Sequence, residues 1–287
     1  MKERFKHIGM YKKSQDLLER AVNILDDYYR KGYRLTIRQL YYQLVSRNII
    51  ENKDSEYDKI SRLMTSARMM GAADWDAIED RLRVADLPYY VSGIKEALQD
   101  TIDTYRLDRQ LGQPYHIEVW VEKDALSGVF SPVTREYHVP LLVSRGYTSV
   151  TAVYDASKRF MNRDALVLYF GDHDPSGLDM IRDIRERLVE LGCSTFEIMP
   201  LALNLKQVQL FNLAPNKVKD EDNRSKAYIR EYGKECWELD ALPPDYLRKL
   251  VKDKIEENMD LEIYSQMIRE EEDDIEKLRN MLDLNKK

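Results

Sequence analysis

Apolar residues over the first seventy positions recur at helical spacing. Leu17, Leu18, Ala21, Ile24, Leu25 and Tyr28 form one stripe, which predicts a helix over 12–31, and Gly32 stands where a C-terminal glycine cap belongs. Thr36-Ile-Arg-Gln39 has capping-box spacing ahead of Leu40, Tyr41, Leu44 and Val45, predicting a second helix. After a turn over 48–54, Ser55 opens a third, which carries Ile60, Leu63, Met64 and Ala67 and closes at Gly71. Three short helices with a turn between the second and third predict a helix-turn-helix or winged-helix-like domain over 1–75. Residues 76–111 read as a charged helical connector broken at Pro88, with Trp75 and Ile78 packing back.

From 112 the period changes. Short apolar runs at 115–122, 139–143, 165–171 and 195–199 alternate with helical segments at 124–137, 149–161 and 176–191. That alternation predicts an α/β unit over 112–212, a mostly parallel, Rossmann-like sheet covered by helices. Residues 213–225 read as a polar loop, and 243–284 as highly charged helix. Leu261, Tyr264, Ile268, Ile275, Leu278 and Leu282 line that helix in a narrow stripe, fit for packing along the body or for a homodimer contact. Residues 213–287 are thus expected to form a loop and a helical C-terminal extension.

Composition narrows the class. At 43% hydrophobic and 33% charged residues, with no apolar run long enough to span a membrane, the chain reads as a soluble globular protein without a membrane partner. Its first residues open no signal peptide. Cys193 and Cys236, the two cysteines, have neither CxxC nor zinc spacing, which suits packing in a reducing, cytoplasmic setting. The net charge of −6 argues against nucleic acid, but its distribution argues back. Residues 1–70 carry fifteen Lys/Arg against nine Asp/Glu, and on the third helix Lys59, Arg62 and Arg68 lie off the apolar stripe. They are candidates for phosphate contacts with double-stranded DNA, or simply a solvated face.

The chemistry concentrates at two strand ends. Leu166-Val-Leu-Tyr-Phe-Gly-Asp172-His-Asp174-Pro-Ser-Gly177 is an apolar run ending in carboxylates two residues apart, which in a strand point the same way. Open α/β sheets place their sites at such C-terminal ends, and paired hard oxygen ligands suit Mg²⁺. Alternatively, Asp174 only caps the next helix, with Pro175 at its first position. Glu122 closes the run 115–122 in the same way. His173 sits between the two acids on the opposite face and reads as structural; His116 and His138 have no evident partner.

One acid after a first strand and an Asp-x-Asp after a later one resembles the Toprim domain, the Mg²⁺ module of topoisomerases, bacterial primases and a group of nucleases. The form Gly-Asp172-His-Asp174-Pro-Ser-Gly is most similar to the topoisomerase VI A subunit and the related meiotic break-forming transesterases. The resemblance implies Mg²⁺ held by Glu122, Asp172 and Asp174, with Glu122 also a candidate acid/base. That family carries an Arg-x-Leu/Ile-Tyr-Tyr element in its helix-turn-helix domain, matched here by Arg38-Gln-Leu-Tyr41-Tyr42. The match implies Tyr42 as nucleophile, forming a phosphotyrosine ester and freeing a sugar hydroxyl, with Arg38 one helical turn away to lower its pKa or hold a phosphate. Tyr41 shares the apolar face of Leu40 and Leu44; Tyr42 lies about 100° further round, where exposure is expected. The resemblance also implies an active site completed across a dimer and, since the chain has no P-loop GxxxxGK[ST], either a separate ATPase subunit or an ATP-independent cycle. A Toprim-type nuclease using activated water, and a non-catalytic DNA-binding or assembly protein, are the competing readings of the same residues.

Overall fold

A computed structural model describes residues 2–79, 88–144, 146–218 and 225–284. The three N-terminal helices form where the apolar stripes predict them: α1 (Lys12–Arg30), α2 (Ile37–Ser46) and α3 (Asp54–Met69). The reciprocal capping box at the start of α2 is made in full, Thr36 Oγ1 accepting from the Gln39 N–H and Gln39 Oε1 from the Thr36 N–H. One core lies between these helices, built from Leu18, Leu25, Leu40, Leu44, Ile60 and Met64 among others. Among the described residues no strand pair forms a wing; isolated bridges join Leu35 to Ile78 and Arg4 to Met70.

The connector forms α4 (Ile94–Thr104); the expected helical content at 80–87 lies outside the described residues. Beyond it come β1 (His116–Val121), a 3-10 turn (Asp124–Leu126) leading into α5 (Ser127–Glu136), β2 (Leu141–Val143), α6 (Val150–Phe160), β3 (Ala165–Phe170), α7 (Pro175–Glu190) and β4 (Phe196–Ala202). The four strands pair in parallel in the order β2-β1-β3-β4. Every residue of β1 and β3 is buried, as expected of central parallel strands covered on both faces. The α/β class is therefore as read from the sequence.

The last third is more structured than its polar sequence suggests. Helix α8 (Leu205–Phe211) follows β4, and β5 (Asn216–Lys217) pairs with β6 (Glu235–Cys236) across α9 (Ser225–Tyr232). The expected loop over 213–225 is therefore replaced at its start by a strand; 219–224 lie outside the described residues. A 3-10 turn (Leu239–Ala241) leads into α10 (Pro244–Asn258), and α11 (Leu261–Leu284) follows, so the helical stretch expected over 243–284 is two helices. Helix α11 is held to the body: Tyr264 stacks on Tyr137, and the buried Glu271 accepts from Arg109 at 2.9 Å and from the Leu107 N–H. Among the described residues no helix is long and apolar enough to cross a membrane.

Helix α2 is shared between two cores. Leu40 and Leu44 face the helical core, while Tyr41, Tyr42 and Val45 pack with Val119, Leu168, Trp237 and Leu239 in the core beneath the sheet. Every residue from Gln39 to Val45 is buried as a result.

Candidate metal centre

Parallel pairing brings the acids of two strand ends side by side. Val121 lies opposite Phe170, and the Glu122 N–H continues the ladder to the Phe170 carbonyl at 2.9 Å. The chain leaving β3 then turns back, and the Asp172 N–H donates to the Glu122 carboxylate at 2.9 Å. Glu122 thus fixes the loop that carries Asp172. Gly177 permits the close return of α7, because a Cβ there would overlap the Asp172 carbonyl oxygen. Asp174 is the N-cap of α7, its Oδ1 accepting from the Gly177 N–H at 2.6 Å, with Pro175 at the first position. The capping role weighed from sequence is therefore made.

Asp172, one of the three acids expected to ligate a metal together, converges with two acids that the sequence did not single out. Among the described residues, the acids whose ligand atoms all lie within 4.8 Å of one another are Asp172, Glu238 and Asp240. Glu122 and Asp174 stand beside this group, each with an oxygen committed to a backbone N–H. Glu238 and Asp240 arrive on a segment that zips onto the Asp-x-Asp loop. His173 and Trp237 exchange backbone hydrogen bonds at 2.9 and 3.0 Å, and the Leu239 N–H donates to Asp172 Oδ1 at 2.8 Å. The sequence reading missed both acids. Their signal was the spacing Glu238-Leu-Asp240, the same two-residue step as Asp172-His-Asp174, in a stretch read as part of an extension.

Two cationic side chains enter the group. Lys123 Nζ lies 2.7 Å from Asp172 Oδ2 and 2.9 Å from Glu238 Oε2. Arg38 Nη2 lies 2.6 Å from Glu238 Oε2, and its Nε 3.5 Å from Asp240 Oδ2. Asp240 is 1% exposed, and neither of its carboxylate oxygens has a hydrogen-bond partner. Burial pushes its carboxyl above the usual range against the pull of Lys123 and Arg38. Burial and the neighbouring Glu122 push Asp172 well above it, and burial raises Glu122 too. At Glu238 burial works the same way but is outweighed by Lys123 and Arg38, so its pKa is lowered. A buried carboxylate that accepts no hydrogen bond is costly. Three convergent carboxylates, one of them accepting no hydrogen bond, form a donor set that can hold a metal ion.

Tyr42 adjoins this group, though not as expected. It is 7% exposed, not solvent-facing, because α2 has buried neighbours on both sides. It lines a cavity of about 570 Å³ together with Arg38, Asp174, Lys217 and Glu238. Burial raises the pKa of its hydroxyl, Glu238 and Asp240 raise it further, and Arg38 opposes them. Tyr41 lines the same cavity, but its hydroxyl donates to Asn52 Oδ1 at 2.8 Å.

Of the basic residues of α3, Lys59 and Arg62 lie one helical turn apart and flank one shallow pocket, while Arg68 lies on another face. Lys59 pairs with Glu56, Arg62 is exposed, and Arg68 sits over the Trp75 ring at 5.1 Å. Lys59 and Arg68 are nine helical positions apart, which puts them about 180° from each other. The histidines have structural partners: His173 Nδ1 meets the Tyr228 hydroxyl, His116 meets Glu118, and His138 meets the Leu107 carbonyl.

No protein-family model matches the chain, and no curated protein matches it.

Proposed function

We propose that this protein is a Mg²⁺-dependent DNA-processing enzyme that cleaves by tyrosine transesterification, with the Toprim and topoisomerase VI A-like character its motifs resemble. The observation that carries the reading is the shared cavity: Tyr42 and Arg38, from the N-terminal helices, line it with Asp174 and Glu238 of the acidic centre. The metal ligands are Asp172, Glu238 and Asp240, with Glu122 and Asp174 bracing the loop between them. When bound, the ion neutralises the two carboxylates that oppose ionisation of Tyr42 and stabilises charge on the phosphate.

The Tyr42 oxygen attacks phosphorus, the phosphotyrosine ester forms, and the bond from phosphorus to the sugar oxygen breaks. Tyr42 would give up its proton to water in the cavity, and the leaving sugar oxygen would take one up, for which Glu122, a carboxyl whose pKa is raised by burial, is the candidate acid. Arg38 reaches Glu238 and the Tyr42 ring, placing its guanidinium where it meets both the nucleophile and an incoming phosphate. Double-stranded DNA is the substrate of this reading, and a second copy and an ATPase subunit are its partners.

Burial of Tyr42 favours a second reading, in which activated water replaces the tyrosine and the chain is a nuclease. Supercoiled plasmid incubated with Mg²⁺, quenched with detergent and divided for protease treatment separates the two. Protein-bound broken strands that disappear in Tyr42→Phe support transesterification. Free nicks made equally well by Tyr42→Phe support the nuclease, and unaltered plasmid with both proteins argues for a non-catalytic DNA-binding role.

A further inference from the structure

The oxygens of Asp172 are both engaged. Oδ1 accepts the Leu239 N–H and Oδ2 holds the Lys123 ammonium at 2.7 Å. The backbone bond is part of the zip that brings Glu238 and Asp240 into place, so it is kept for as long as the centre is assembled. A cation taking Asp172 as ligand therefore takes Oδ2, the oxygen Lys123 holds. A Mg²⁺–oxygen distance of about 2.1 Å would leave the ion and Nζ within about 5 Å of each other, sharing one oxygen. A dication and an ammonium so close in a buried site repel strongly. Lys123 also holds Glu238 Oε2, a second atom of the donor set. It does not hold Asp240, whose oxygens accept no hydrogen bond although the side chain is buried.

The geometry points to Lys123 as a built-in stand-in for a divalent cation, displaced from Asp172 and Glu238 when the ion binds to Asp172, Glu238 and Asp240. This rests on the cation reading of those three acids. The ammonium bridges two of the three ligands and keeps them from repelling one another, so the centre stays assembled without metal. Asp240 is the ligand the ammonium does not satisfy, and it gives the divalent ion its advantage over Lys123. Entry of the ion is thus an exchange of cations within a formed site, and its affinity is set partly by what it costs to expel Lys123. Five carboxylates, Glu122, Asp172, Asp174, Glu238 and Asp240, face two cationic side chains here, so the group retains negative charge after the exchange.

Mn²⁺ alone, titrated calorimetrically into the full chain, is the probe. Wild type should bind it, and Asp240→Asn should lose about tenfold or more in affinity. Lys123→Met, which removes the competitor and keeps an unbranched stem, should bind Mn²⁺ about tenfold more tightly or better. The second measurement uses the wild-type chain only, so it does not depend on a variant folding. Brief acetylation by an N-hydroxysuccinimide ester, read by peptide mass spectrometry, should modify Lys123 faster with Mn²⁺ present, because the ammonium has left its two carboxylates. Mn²⁺ binding that requires Asp240, with Lys123 acetylation unchanged by the ion and affinity unchanged in Lys123→Met, overturns the exchange and leaves the metal centre standing. Absence of Mn²⁺ binding, or binding indifferent to Asp240→Asn, overturns the cation reading and the exchange together.

Discussion

Arg38 and Glu238, two hundred residues apart in sequence, meet at 2.6 Å. This ion pair ties the N-terminal helices to the segment that completes the acidic centre. Arg38 is about half exposed and Glu238 mostly buried, so the pair falls between surface and interior behaviour. Arg38→Ala should lower stability by roughly 1–2 kcal/mol in urea denaturation. It should also weaken any plasmid cleavage, since Glu238 loses one of its two cationic partners.

Asp240→Asn should stabilise the protein in a chelator. The folded-state pKa values of Asp240 and Asp172 lie above their usual values, chiefly through burial. For a group raised in the fold, the stabilising contribution is complete below the unfolded pKa, about 3.9 for Asp. It is lost as pH rises through the folded value. The melting temperature of Asp240→Asn should therefore gain on that of the parent as pH rises above about 4. Mg²⁺ should raise the parent's melting temperature by more than the variant's. A parent that stays the more stable of the two at neutral pH in chelator would count against a net cost of the buried Asp240 carboxylate.

Gly177→Ala places a methyl group on the Asp172 carbonyl, a backbone atom that cannot swing aside. Overpacking of this kind costs about 1–3 kcal/mol, readable by urea denaturation. Because the displaced residue carries a metal ligand, Mn²⁺ affinity should fall as well. An exposed glycine such as Gly192, whose Cβ would meet nothing within 4 Å, should show no such loss of affinity on the same substitution.

Arg62 and Arg68 should separate DNA binding from folding. Arg62 is exposed on α3, so Arg62→Glu should weaken duplex binding and flatten its salt dependence while the melting temperature holds. Arg68 lies over Trp75, so Arg68→Glu should lower the melting temperature. Fluorescence anisotropy across a salt series, set beside thermal melts, reads both. Duplex affinity unchanged by Arg62→Glu would remove α3 from the interface.

The sequence carried the positions of β1 and β3 and the acids at their ends, because continuous apolar runs bounded by Gly and acidic residues are strong local signals. It carried Asp172 as the centre of the site for the same reason. What it hid were effects of distant packing. Glu238 and Asp240 reach Asp172 through the pairing of His173 with Trp237, residues 64 apart, and nothing local announces that pairing. Strands β5 and β6 are two residues each, below the length at which alternation can be read. Tyr42 was expected to be exposed because a helical wheel assumes one buried face, and α2 has two.

That double burial has a consequence for cooperativity. A helix with a solvent face can detach and leave its neighbour's interior closed. Loss of α2 would instead strip cover from Leu35 and Ile60 on one side and from Trp237 and Leu239 on the other. The helical and sheet-based cores should then melt in one transition, with the amides of α2 among the last to exchange with solvent. A hinge between them cannot run through α2 itself. Because α2 packs on the segment that carries Glu238 and Asp240, Arg38 and Tyr42 are held at a set distance from those acids as well as from each other.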